Sequence, residues 1–229
     1  MPGTGTTVIS FNFGDKFRPG TVGKLLPYVQ VKLSPEGEIL AKGPNVMKGY
    51  FNNPKATAET IDADGWLHTG DVGVFDDDNY LKITDRIKEL IVMSNGKNVA
   101  PLPIENRLTR SPLVAQAMVV GNNQKYIAAI LFPAKAEIEA LARSLEIGAK
   151  GFEGICRDRE VLEHFEKIVE EANAGLSRYE QIKKIEVVPY ELTVDGGEIT
   201  PTLKLKRRVL EKKFSGLIQK MYPEGDKLG

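Results

Sequence analysis

The sequence predicts an α+β chain in two parts, a small antiparallel β-sheet or barrel over residues 1–85 and a compact α+β domain over residues 86–229. Three observations carry that reading. From Val22 to Lys88 apolar residues recur in short runs, Val29/Val31/Leu33, Glu38-Ile39-Leu40, Val72/Val74 and Leu81/Ile83, with glycine, proline and Asx turns between them. After Asp85-Arg86-Ile87-Lys88 the period changes, and beyond Phe132 helical spacing dominates. A length of 229 residues, with 41% hydrophobic and 27% charged content, leaves room for one large or two modest domains with a real core and excludes whole-chain disorder.

Each element has its own local reason. Asn53 followed by Pro54 reads as a cap and a first helical turn, so a short helix is expected through Thr60. Glu89 to Val99 reads as a hairpin around Ser94-Asn95-Gly96, and Pro103 to Arg110 as a short helix with Ile104 and Leu108 inward. Val114 to Val120 and Tyr126 to Phe132 form a second hairpin across Gly121-Asn122-Asn123-Gln124. Helical spacing then recurs in Ile138, Leu141, Ala142 and Leu145, and again in Val161, Leu162, Phe165, Ile168, Val169 and Ala172 behind an Asp158 cap. A strand from Ile185 to Val188, a turn at Asp195-Gly196-Gly197 and one last amphipathic helix carrying Leu210, Phe214, Leu217, Ile218 and Met221 complete the chain.

Composition narrows the function classes. Lysine plus arginine and aspartate plus glutamate both number 31, which argues against whole-chain attraction to nucleic acid or anionic lipid. The single cysteine, Cys156, can form neither an internal disulfide nor a zinc cluster, and reads as a bystander in an insertion between two helices. The histidines, His68 and His164, add no metal signature. The apolar run from Tyr126 to Pro133 is far shorter than the roughly 18 residues of a membrane helix, and the first residues lack the pattern of a secretory signal. A cytoplasmic protein is expected. Asp76-Asp77-Asp78-Asn79 reads as an acidic hairpin turn, since it lacks the alternation, glycine and closing glutamate of an EF-hand loop.

Four constellations could carry chemistry. Gly37-Glu38-Ile39-Leu40, continuing through Gly43 to Gly49-Tyr50-Phe51 and Pro54, is in isolation turn punctuation around strands. Trp66-Leu67-His68-Thr69-Gly70-Asp71 ends on a carboxylate whose two oxygens suit the paired hydroxyls of a ribose, although a solvated turn aspartate explains it as well. Asp85 to Val92, continuing to Gly96-Lys97-Asn98-Val99, lies where the two halves meet, a place where charge usually marks a linker. Ile199-Thr200-Pro201-Thr202-Leu203-Lys204-Leu205-Lys206-Arg207-Arg208 is a basic segment after a Gly-Gly turn, equally compatible with a helix start or a nucleic-acid contact.

In this order and at these separations the four resemble the adenylate-forming superfamily of acyl-CoA synthetases, luciferases and peptide-synthetase adenylation domains. The resemblance runs from about Gly20 to Arg208 and corresponds to the C-terminal third of such an enzyme. Gly96-Lys97-Asn98-Val99-Ala100-Pro101 with Ile104-Glu105-Asn106, and Thr200-Pro201-Thr202-Leu203-Lys204, point to long-chain fatty-acid CoA ligases, acid-thiol ligases that form AMP. Most relatives have glycine directly before that lysine; this chain has Leu203.

The resemblance implies two half-reactions: a fatty acid and ATP give an acyl adenylate and pyrophosphate, then the CoA thiol displaces AMP. It places Lys204 as the catalytic lysine of the first step, with Lys206 its rival. It places Asp71 and Arg86 on the nucleotide, Lys88 at the hinge about which the second domain turns, and Gly96 in a hairpin that replaces Lys204 and lets the backbone approach the pantetheine arm. A left-handed turn position would explain Gly96 equally well. Residues 1–85 then correspond to the β subdomain that ends the large AMP-binding domain, and residues 86–229 to the mobile C-terminal domain.

Magnesium is expected with ATP, but no ligand for it is carried over. Gly3-Thr4-Gly5-Thr6-Thr7 lacks the lysine and preceding strand of a phosphate loop, and falls at or just past the family's Thr-Glu magnesium motif without its glutamate. Without that loop, the chain is expected to need the N-terminal remainder of the same enzyme and to be inactive alone. The alternatives are aryl-CoA ligation, loading of an acyl carrier protein, or a non-catalytic module in which Lys204, Lys206, Arg207 and Arg208 contact nucleic acid or another partner. No nucleic acid is expected on the main reading. Peripheral membrane contact fits a handler of fatty acids, although no basic amphipathic helix marks an anchor.

Overall fold

A computed structural model describes residues 8–148 and 150–223, so Gly3 to Thr7 lie outside the described residues. The chain divides into two compact units, Met1–Leu90 and Ile91–Gly229.

The first unit is built on six strands: β1 (Ser10–Phe11), β2 (Gly23–Leu25), β3 (Gln30–Leu33), β4 (Glu38–Lys42), β5 (Leu67–Phe75) and β6 (Tyr80–Arg86). They pair in the order β1-β2-β6-β5-β4-β3, every pair antiparallel. Of the two forms the sequence allows, the sheet is the one adopted. β1 and β3 are its two edges, so it is open and not a closed barrel. The longest strands, β5 and β6, lie inside it, and Leu67, Val72, Ile39, Leu40, Ala41 and Leu81 are buried.

Helix α1 (Pro54–Thr60) starts as expected: Asn53 Oδ1 accepts from Ala56 N at 3.0 Å and Pro54 occupies the first turn. The acidic turn is held by an arginine. Asp76 Oδ1 accepts from the backbone of Asp78 and Tyr80, while Arg18 pairs with Asp76 and Asp78.

The second unit starts with a two-strand hairpin, β7 (Ile91–Val92) and β8 (Asn98–Val99), followed by α2 (Pro101–Leu108). The helix begins two residues before the expected Pro103. Both prolines sit in its first turn, where their missing N–H groups have no partner to lose. Strands β9 (Val114–Val120) and β10 (Ile127–Pro133) form the expected antiparallel hairpin. Next come α3 (Lys135–Ser144), α4 (Phe152–Cys156), α5 (Arg159–Asn173) and β11 (Ile182–Val187), which pairs parallel with β10.

One finding corrects the sequence reading here. The last amphipathic helix is broken at Phe214 into α6 (Arg207–Lys213) and α7 (Ser215–Met221), where weak helix formers Ser215 and Gly216 follow the break. Cys156, in the insertion between α3 and α5, ends the short helix α4 and is buried in the core. Burial pushes its thiol up to about 11, which keeps it protonated and a poor nucleophile.

β10 explains the architecture. All seven of its residues are buried, because its apolar run meets a layer on each face. Ile127, Ala129 and Leu131 pack in one core with Ile104, Leu108, Ile138, Val161 and Phe165. Ala128, Ile130 and Phe132 pack in the other with Leu210, Met221 and Tyr222. At roughly 1.5–3 kcal/mol for each large apolar side chain fully removed from water, these two layers dominate the unit's stability.

Candidate active site

In the first unit Asp71 and Arg86 face each other across the central strands. They are register partners on β5 and β6, with Arg86 Nε 3.6 Å from Asp71 Oδ1, and the register shifts immediately beyond, between Val72 and Gly73. Such a bulge re-aims side chains beside a site. Asp71 is 36% exposed and Arg86 68%, so both side chains are accessible from solvent. Burial pushes the Asp71 carboxyl above its ordinary value; Arg86 opposes this and the charge of Glu38 adds to it.

The turn before Asp71 is fixed by Glu38, a residue that the sequence in isolation offers only as part of the turn punctuation around strands. Glu38 is buried; its Oε1 accepts from Gly70 N at 2.9 Å and its Oε2 lies 2.9 Å from His68 Nδ1. Thr69 Oγ1 donates to Ile39 O at 2.7 Å and accepts from Asp71 N at 3.2 Å. His68 is therefore a partly buried member of this network, and it is given no catalytic role. The signal for Glu38 was present: a carboxylate opening an apolar strand is costly unless something binds it.

Lys88 is exposed in a single 3-10 turn, Ile87–Glu89, directly before the division between the units at Leu90. In the second unit Gly96 sits at the tip of the β7–β8 hairpin with φ +77° and no atom within 4 Å of where a Cβ would be. The left-handed geometry favours glycine by itself, and the same bareness leaves the backbone open to a thin ligand. The hairpin is pinned at its flank, with Ser94 N donating to Gln124 O at 3.0 Å and Asn123 N to Val92 O at 2.8 Å.

Lys204 lies at the end of a tight exposed loop. An isolated bridge pairs Ile199 with Leu205, Thr200 N donates to Lys204 O at 2.8 Å, and Lys204 N donates to Thr200 Oγ1 at 3.0 Å. Leu203, where the family pattern has glycine, takes φ +59° and is 62% exposed. Lys204 and Lys206 are both exposed, and Lys206 caps α6.

Arg207 differs from these two. Its guanidinium is 2.5 Å from Glu105 Oε1 and donates to Val119 O at 2.7 Å, and both side chains of the pair are largely buried. The basic segment is therefore not a uniform charged surface, which removes one of the four side chains a nucleic-acid contact would use. Among the described residues no group of three or more His, Cys, Asp or Glu could hold a metal, and no helix is long and apolar enough to cross a membrane.

Residues 88–226 match the family described as the AMP-binding enzyme C-terminal domain. The chain is 45% identical over 206 residues to a putative fatty-acid–CoA ligase of Mycobacterium tuberculosis, fadD11, covering 90% of this chain and 36% of that one. It is 37% identical over 223 residues to the long-chain-fatty-acid–CoA ligase FadD15 of the same organism, covering 97% and 37%. The human long-chain-fatty-acid–CoA ligase 1 is 39% identical over 196 residues, covering 82% and 27%.

The chain thus spans little more than a third of the two mycobacterial relatives' length. Among solved structures, the adenylation domain of a carboxylate reductase from Mycobacterium chelonae superposes with a TM-score of 0.68 at 25% identity, covering 94% of this chain and 34% of that one. That of Segniliparus rugosus, solved with AMP and a co-purified carboxylic acid, gives 0.65 at 25%, covering 87% and 32%.

Proposed function

The chain belongs to the AMP-binding enzyme C-terminal domain family, and from that premise we propose that it supplies the C-terminal part of an ATP-dependent long-chain fatty-acid CoA ligase. The observation that carries the reading is the Asp71–Arg86 pair, an acceptor and a fork of donors set side by side on neighbouring strands. Asp71 accepts hydrogen bonds from both ribose hydroxyls, and Arg86 donates to ribose or phosphate oxygens.

In the first half-reaction a fatty-acid carboxylate oxygen attacks the α-phosphorus of ATP and pyrophosphate leaves. Lys204 brings its ammonium to the oxygens that gather charge in that step. In the second, the CoA sulfur attacks the acyl carbonyl, its proton is lost and AMP leaves. The unit that starts at Ile91 turns about Lys88 between the two steps, withdrawing Lys204 and presenting the hairpin of Gly96 to the pantetheine arm. Magnesium accompanies ATP, and no residue of this chain is assigned to it. The single cysteine fits work in the reducing cytosol. On this reading the isolated chain lacks the phosphate loop and the acyl pocket, and gives no turnover by itself.

The test uses the complete ligase that carries this segment. Fatty-acid-dependent pyrophosphate release is followed beside thioester formation from pre-made acyl adenylate. Lys204→Ala should abolish the first and spare the second; if both survive, Lys206 takes the role, and if neither half-reaction occurs in the unaltered enzyme, the reading falls. The likeness to a carboxylic acid reductase structure in which the adenylation domain is joined to a PCP carrier domain favours one second reading, a carrier-borne thiol as acceptor. Offering CoA against carrier-bound phosphopantetheine separates the two.

A further inference from the structure

Beneath the Lys204 loop lies a buried carboxylate that none of the chemistry above uses. Glu198 is 2% exposed. Its Oε1 accepts from Lys213 Nζ at 2.7 Å and from Tyr190 Oη at 2.8 Å, and its Oε2 accepts from Thr193 N at 3.1 Å. Lys213 is itself held, with Nζ 2.5 Å from Tyr190 Oη and 3.8 Å from the centre of that ring. The backbone of Glu198 closes the loop, because its carbonyl accepts from Lys206 N at 2.8 Å and its neighbour Ile199 makes the bridge to Leu205.

A hairpin base of this kind needs no charge. An apolar residue would fill the space without the several kcal/mol that burying an ion costs when its pairing is imperfect. Here the carboxylate ties two pieces of chain to the loop, the approach through Tyr190 and Thr193 and helix α6 through Lys213, while the backbone carbonyl of the same residue joins the two sides of the loop at Lys206. The sequence makes room for it. A Cβ at Gly196 would lie 2.2 Å from Glu198 Oε2 and 2.8 Å from Thr193 Oγ1, so the first glycine of the Gly-Gly turn leaves room for the carboxylate and for the threonine that flanks it.

We propose that Glu198 is a positioning residue for Lys204, fixing the base of residues 199–206 so that the lysine is delivered in one geometry to the adenylation step. This rests on Lys204 being the adenylation lysine. The consequence is selective: loosening the anchor slows the half-reaction that uses Lys204 and leaves the other, in which Lys204 is withdrawn, untouched. A misplacement of about 1 Å is enough to cost about 100-fold in rate.

Two variants of the complete ligase reach the anchor by different routes, Glu198→Gln by removing the charge and Gly196→Ala by pushing the carboxylate aside. Each should lower kcat for pyrophosphate release by about 10- to 100-fold with KM for ATP and fatty acid nearly unchanged. Thioester formation from acyl adenylate should stay within about twofold, which also reports that the variant is folded. The double variant should be no worse than the poorer single one, since both act through one group. In hydrogen exchange on the 229-residue chain, amides of residues 199–206 should exchange faster in Glu198→Gln.

Lys204→Ala is the reference arm. If it lowers adenylation while Glu198→Gln and Gly196→Ala do not, the positioning role is wrong and the functional reading stands. If both half-reactions fall together in Gly196→Ala, Glu198 is structural only. If Lys204→Ala leaves adenylation intact, the reading of Lys204 falls and the positioning role with it.

Discussion

The Asp71 turn and the Lys204 loop are built from the same parts and held in different ways. Each has a buried glutamate beside it, Glu38 under the first and Glu198 under the second. Asp71, however, lies on a nine-residue interior strand with Arg86 as its register partner on β6, so the sheet itself holds it. Lys204 is exposed on a loop closed by one bridge. On the proposed function, Asp71 only binds and can be fixed by a sheet, whereas Lys204 reaches into the site from an exposed tip, and its geometry then depends on whatever secures the base.

Substituting both residues in the complete ligase gives the largest effects and breaks the comparison if it is wrong. Lys204→Ala should lower pyrophosphate release by about 10³-fold and leave thioester formation unchanged, as removal of a charge placed on a transition state does. Asp71→Asn should weaken both half-reactions, by about 10- to 100-fold in kcat/KM, because the nucleotide is held throughout. Equal losses in both half-reactions for the two variants would erase the distinction between binding and reaching.

Within the basic segment the contrast is between neighbours. Arg207 is buried against Glu105, three residues from exposed Lys204. Arg207→Met in this chain should lower unfolding free energy by about 3 kcal/mol in urea titrations, because Glu105 is left buried without its counter-charge. Lys204→Ala in the same titration should change it by less than about 0.5 kcal/mol. A stability loss at Lys204 would mean that it, too, is structural.

This contrast also marks how far sequence could reach. Alternation and turn chemistry place β3 to β6, and the Asn53 cap and the Asp158 cap place their helices, because these are local causes. The motifs name Asp71, Arg86, Gly96 and Lys204 because the family spacing survives in them. What sequence cannot give is pairing over long separations. Arg207 reads as one more charge in a basic run until Glu105 is found 102 positions away. The parallel pairing of β11 with β10 and the clamp of Lys213 on Glu198 are of the same kind. Where local causes compete, sequence leaves a choice: a closed barrel or an open sheet, one last helix or two.

The two site carboxylates should answer pH in opposite directions. Lys213 first, then Thr193 N–H and Tyr190, hold Glu198 down to about 2, so its stabilising contribution is present above about 4.5 and lost as pH falls toward about 2. Asp71 is raised, chiefly by burial, so its contribution is full when protonated and is lost as pH rises through its folded value. Urea midpoints of the chain between pH 6 and pH 3 should show Glu198→Gln removing part of the acid destabilisation and Asp71→Asn steepening it. Matching slopes for wild type and both variants would mean that neither carboxylate is linked to folding.

The smallest effect sharpens the view of the loop itself. Leu203 occupies a left-handed conformation that costs an L-residue about 1–2 kcal/mol, and with its side chain 62% exposed it has little packing to offset this. Leu203→Gly restores the family's glycine and removes the strain, at the expense of a more flexible unfolded chain. The net gain expected is about 0.5–1 kcal/mol in urea titrations, with adenylation kept, since the hydrogen bonds of Thr200 to Lys204 use only backbone and the Thr200 hydroxyl. If the loop instead lost stability, the leucine side chain would have to be securing Lys204 by contacts of its own, and the anchor at Glu198 would share that task.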